Sequence, residues 1–206
     1  MFAALLTLGS TGRVYATIDT HTSSLPAIQD SLKEKAPDTE HTGTSDQLHN
    51  LALQHKSRGE YSTAVSLFQR ALAADEKTYG PDHPRIAVRS TSLALLYHDM
   101  GRYDEAEPLY ERALAIHEKV SGSHHPDTAG ALTNLAKLYY DRGQYEKAEP
   151  LYQRALAIYE EKNGLDHPSV ATVLNYLAML YQSLGNYSEA KSLYEHGLAI
   201  DEVAYG

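Results

Sequence analysis

Apolar positions in this chain recur at helical spacing in blocks that are copied along it. In the block opening at Pro126, Leu132, Leu135, Ala136 and Tyr139 follow at offsets of three and four, one face of a helix. Pro126 suits a first helical turn, where its missing N–H costs nothing. Gly143, after Asp141-Arg142, supplies the left-handed backbone of a C-terminal cap. A second helix is predicted from about Tyr145 to Lys162, with Ala148, Leu151, Tyr152, Ala155, Leu156 and Ile158 facing inward. Asn163-Gly164 closes it, and Asp166-His167-Pro168 opens the next block.

The same pattern stands at intervals of 42 residues: Gly59-x-Tyr61, Gly101-x-Tyr103, Gly143-x-Tyr145 and Gly185-x-Tyr187 are in register. So are Leu51-Ala52, Leu93-Ala94, Leu135-Ala136 and Leu177-Ala178. A fixed period of this size predicts an all-α solenoid of stacked antiparallel helix pairs, each unit burying its apolar face against its neighbours. Four units are expected, at 45–86, 87–128, 129–170 and 171–206. Thr44-x-x-Gln47 ahead of Leu48 reads as a capping box at the entry to the first. Alanines at 136, 148 and 155, and their counterparts in the other copies, let paired helices approach, with Gly197 the loosest match.

The order Leu-Ala, Tyr, Gly-x-Tyr, Ala, Tyr/Phe, Ala resembles the tetratricopeptide repeat. The period, the Ala-Glu-Pro-Leu-Tyr block at Ala106–Tyr110 and Ala148–Tyr152, and the His-Pro linkers resemble its kinesin-light-chain variety. The resemblance implies a right-handed superhelix. Ordinary units of this family run to about 34 residues, so the surplus adds about one turn to each helix. His55 in place of the first-helix Tyr, Ser90 in a usual Leu place, and Pro108 and Pro150 early in second helices depart from the pattern. A slight kink rather than a break is expected at the two prolines.

A formal charge of −9 argues against nucleic-acid binding, which needs clustered Lys and Arg. The chain has no Cys, so disulfides, thiolate metal sites and Cys nucleophiles drop out together. Residues 1–44 read as an apolar stretch followed by a polar, disordered linker, with 26–36 offering a short helix to cap the stack. The run Phe2 to Leu8 is too short to span a bilayer. A cytoplasmic location is expected, with export the alternative if 1–16 act as a signal peptide; no Lys or Arg precedes the apolar run.

Candidate chemistry is thin. Stacked helices lie about 8–10 Å apart, so His83, His125 and His167 cannot share one ion at Zn–N distances of about 2.0–2.1 Å. They read as turn residues beside the helix-opening prolines. Carboxylates such as Asp104, Glu107 and Glu149 recur at helical spacing and read as a solvated outer face. Ten tyrosines fall at packing positions; Tyr140 and Tyr176 do not. No phosphate loop, nucleophile elbow or metal-binding helix motif occurs, so no catalytic residue, metal or cofactor is assigned and an enzyme is not expected.

The resemblance implies that first helices line a concave, ligand-binding groove. It places Asn50, Leu53 and Lys56 there from the first unit and Ser92, Leu95 and His98 from the second. Thr133, Asn134 and Lys137 follow from the third, and Asn175, Tyr176, Met179 and Gln182 from the fourth. Asn50 and Asn134 match the family's peptide-clamping Asn; the basic clamp is reduced to Lys56 and Lys137. Acidic second helices behind a faintly basic groove suit a polar or mildly acidic peptide. The expected function is thus a non-catalytic scaffold for a protein or peptide ligand. The alternatives are a regulatory fragment of a larger protein and a repeat that self-associates through its uncapped C-terminal unit.

Overall fold

A computed structural model of the chain describes residues 44–205; the apolar stretch, linker, capping helix and signal-peptide readings lie outside the described residues. Eight helices occur among the described residues, in four pairs. These are α1 (Ser45–Ser57) with α2 (Tyr61–Tyr79), α3 (Pro84–Asp99) with α4 (Tyr103–Val120), α5 (Pro126–Asp141) with α6 (Tyr145–Asn163), and α7 (Pro168–Ser183) with α8 (Tyr187–Tyr205). Each helix packs on the next, and the pairs stack as a right-handed α-solenoid.

Helix boundaries follow from local chemistry. Thr44 N–H donates to Gln47 Oε1 at 2.8 Å, one half of the expected capping box. His83, His125 and His167 are not idle turn residues: each Nδ1 accepts the backbone N–H two residues on, at 3.2 Å, capping α3, α5 and α7 ahead of a proline. Within each pair the chain turns through a glycine; Gly143 has φ 72°, which a side chain would strain. Helices α4 and α6 continue unbroken past Pro108 and Pro150.

The interior is the repeated set. Alanines 52, 64, 71, 94, 106, 113, 136, 148 and 155 are buried, so paired backbones come close, and Phe68, Tyr110 and Tyr152 fill the layers between pairs. Three tyrosines assigned to packing are exposed: Tyr61, Tyr187 and Tyr194. For Tyr194 the cause is position, because it lies on α8, which no later helix among the described residues covers. Gly197 is loose for a reason: a Cβ there would stand 2.8 Å from Asn175 Oδ1, so the missing methyl makes room for that amide.

The carboxylates read as solvated include interface groups. Glu107 accepts from Tyr139 Oη at 2.9 Å and from Arg142 at 2.5 Å, and Glu149 accepts from Tyr181 Oη at 2.6 Å. Burial together with Glu107 pushes the Tyr139 hydroxyl up to about 12. Arg112 to Glu76 and Arg154 to Glu118 repeat one ion pair across successive second helices. No described helix is long and apolar enough to cross a membrane.

Candidate functional site

One face of the first helices forms a continuous depression of three joined cavities. The first, about 430 Å³, lies between Asp46, Arg85, Val88, His117 and Asp127. The second, about 370 Å³, shares Val88, His117 and Asp127 with it and continues past Ser92, Gly130 and Asn134 to Tyr159. The third, about 330 Å³, shares Gly130, Asn134 and Tyr159 and runs on to Thr133, Thr172 and Tyr176.

Of the residues expected in the groove, Ser92, Thr133, Asn134 and Tyr176 line these cavities, and Asn134 forms a wall of two. Asn50, Leu53, Met179 and Gln182 are exposed outside them, and Leu95 is half-buried against the core. Asn175 turns toward Gly197 on α8. His98 is buried, with Nε2 2.7 Å from Asp141 Oδ2 and Nδ1 3.4 Å from Tyr110 Oη. Lys56 pairs with Asp99 at 2.6 Å and Lys137 with Asp141 at 2.6 Å. Both basic groove residues are therefore already paired with acidic neighbours.

Three side-chain hydroxyls along the groove are also engaged. Ser92, Thr133 and Thr172 each donate to the carbonyl four residues earlier in their own helix, at 2.8–3.0 Å. Among the described residues the Asn134 amide has no such partner, which leaves a donor and an acceptor facing open space. Tyr176 stacks on Tyr152 with ring centroids 5.5 Å apart and an interplanar angle of 12°, so its ring is a rigid wall.

His117 and Tyr159 were not expected here. They occupy one register position, the fifteenth residue of α4 and of α6, in the last turns of the second helices. Burial lowers the His117 pKa, favouring a neutral ring, and burial with Asp127 nearby raises that of Tyr159. Gly130 keeps the cleft open beside them; a Cβ there would lie 3.4 Å from Tyr159 Oη. In the first unit the same register holds Asp75, which pairs with Arg89 at 2.7 Å beneath Asp46 and Arg85. Burial works to raise the Asp75 pKa, but the Arg89 and Ser45 hydrogen bonds and the two arginine charges hold it below the ordinary carboxylate range. The register could have been found from Asp75, His117 and Tyr159 recurring at the repeat period in different chemistries.

The model of the tetratricopeptide repeat matches residues 44–98, 85–161 and 127–202, overlapping windows that run from α1 into α8. Among solved structures, BtubC (BKLC) from P. vanneervenii is similar over 79% of this chain and 65% of its own length, with a TM-score of 0.71 at 21% identity. A Podosopora anserina protein with nearly identical TPR-like repeats of the kinesin light chain kind is 31% identical over 87% of this chain and 83% of its own, with a TM-score of 0.67. Aspartyl phosphate phosphatase F from Bacillus subtilis has a TM-score of 0.68 at 19% identity, over 78% of this chain and 40% of its own. The first and last likenesses are of fold alone. This chain spans under two thirds of the length of those two proteins.

Proposed function

The chain belongs to the tetratricopeptide repeat family, and on that premise we propose that its concave groove holds an extended peptide segment of a partner protein. Repeats of this family form protein-interaction scaffolds, and the array shares that general role. The finer reading rests chiefly on Asn134. Its amide stands where two cavities meet, and the Ser92 and Thr133 hydroxyls nearby are spent on carbonyls of their own helices. A free amide offers N–H and C=O together, which matches the alternating acceptor and donor of an extended main chain. Val88 and Tyr176 supply apolar walls, and the cleft beside Gly130 admits a side chain toward Tyr159.

The ligand is a neutral to mildly polar segment. Lys56 and Lys137 are already paired, so recognition of a C-terminal carboxylate finds no free cation at those positions. No residue in the groove is assigned a catalytic role, and no cofactor or nucleic acid enters the reading.

Peptides selected on this chain from a random display library supply the test. Asn134→Ala is expected to weaken a selected peptide by about tenfold or more, roughly 1.4 kcal/mol, while the thermal midpoint stays unchanged. Unaltered affinity, or a midpoint that falls in step with affinity, would remove Asn134 from the binding role.

A further inference from the structure

The first two boundaries between units are built on the same registers with opposite contents. At the first, Asp75 and Arg89 pair at 2.7 Å, and Asp46 holds both Arg85, at 2.6 Å, and Arg89. One period of 42 residues later, Asp75 becomes His117, Arg89 becomes Ala131, Asp46 becomes Val88 and Arg85 becomes Asp127. Both long cationic side chains are gone from the second boundary. All four replacements are walls of the cavity of about 370 Å³.

Charge along the depression is left unbalanced by this exchange. Arg85 and Arg89 are matched by Asp46 and Asp75, whereas Asp127 has replaced a cation and lies exposed at the junction of two cavities. His125 Nδ1 stands 3.4 Å from Asp127 Oδ2, but that nitrogen already accepts the Asp127 backbone N–H and has no proton to give. Burial lowers the His117 pKa, so near pH 7 the ring carries no charge to offset the carboxylate. Among the described residues Asp127 therefore faces the groove without a cationic partner. Tyr159 Oη, beside Gly130, adds a second oxygen to the same cavity.

We infer that the cavity between the second and third units takes one basic side chain, Lys or Arg, of the bound peptide. Its aliphatic stem runs over Val88 and Ala131, and its charged head meets Asp127. Long basic side chains combine an apolar stem with a polar head in this way. The ligand thus supplies in trans the cation that the chain itself supplies at the first boundary. This inference rests on the groove reading and sharpens it: within an otherwise uncharged segment, one residue is basic.

Panning a random-peptide display library in parallel on the parent chain and on Asp127→Lys provides the test. Peptides from the parent are expected to share a Lys or Arg at one position, and Asp127→Lys is expected to lose that preference. Titrating one parent-selected peptide and its Gln-substituted form at that position closes a double-mutant cycle. The substitution is expected to cost about tenfold in affinity for the parent and to make little difference to Asp127→Asn. Comparing two peptides on one chain keeps the result independent of any change in helix stability, since Asp127 lies in the first turn of α5. Peptides weakened by Asn134→Ala but showing no basic preference, or an equal loss on Asp127→Asn and on the parent, would overturn the basic-side-chain assignment and leave the groove reading standing. Peptides indifferent to Asn134→Ala, Gly130→Gln and Asp127→Asn alike would overturn both.

Discussion

Tyr152 and Tyr139 sit in adjacent layers of the same stack and use their hydroxyls in opposite ways. The Tyr152 hydroxyl is buried without a partner, and burial drives its pKa upward; Phe68 does the same packing job without the oxygen. The Tyr139 hydroxyl donates to Glu107 across a repeat boundary. An unsatisfied buried hydroxyl costs about 1–3 kcal/mol, and a hydrogen bond to a charged group is worth about 1.5–3 kcal/mol. Tyr152→Phe is therefore expected to hold or raise stability in urea melts, and Tyr139→Phe to lower it by about 1–3 kcal/mol. The opposite ordering would mean that these hydroxyls are satisfied differently from the arrangement described. Ser90 is a related case: it is buried with no partner for Oγ where other units have Leu48, Leu132 and Leu174, and nothing in the structure explains the choice.

At the scale of helices and their interfaces, the first boundary differs from the other two. Asp75 of α2 and Arg89 of α3 form a nearly buried ion pair, whereas the same two registers hold His117 with Ala131 and Tyr159 with Val173. Removing one partner of a buried pair strands the other, at a cost of about 3–5 kcal/mol, whereas replacing both by well-packed groups is close to neutral. Arg89→Val leaves Asp75 with Ser45 and with Arg85, 3.4 Å away, and is expected to destabilise the array by up to about 3–5 kcal/mol, with Asp75→Tyr and Arg89→Val together regaining most of the loss in a double-mutant cycle. Additive losses would show that the pair is not coupled. The helices, their pairing and the alanine–tyrosine core were legible in the sequence because a period exposes whatever is repeated. The floor of the groove was not. His117 and Tyr159 lie on helices read as an outer wall, yet both line the cavities. The Lys56–Asp99 and His98–Asp141 contacts were hidden too, since they depend on the rise and tilt between units rather than on spacing within one.

Across the described residues, the first and last helices differ in chemistry. α1 presents Gln47 and Gln54 outward, while α8 presents Tyr187, Tyr194 and Leu198. Between them, fixed packing residues hold the units, while Ser92, Thr133, Asn134 and Tyr176 line one joined depression with His117 and Tyr159, which is the basis for assigning ligand binding to that face. Gly130 gives the most direct access to that assignment, because it lines two of the cavities and sits within α5. Gly130→Gln fills the cleft beside Tyr159 and, as a change from glycine in a helix interior, favours the helix by about 0.5–1 kcal/mol. The decisive measurement is calorimetric titration of library-selected peptides against the parent chain and Gly130→Gln, with thermal melts alongside. Loss of peptide binding by about tenfold or more, with a thermal midpoint that does not fall, is expected. Equal affinity for both chains would place the ligand elsewhere and contradict a groove site.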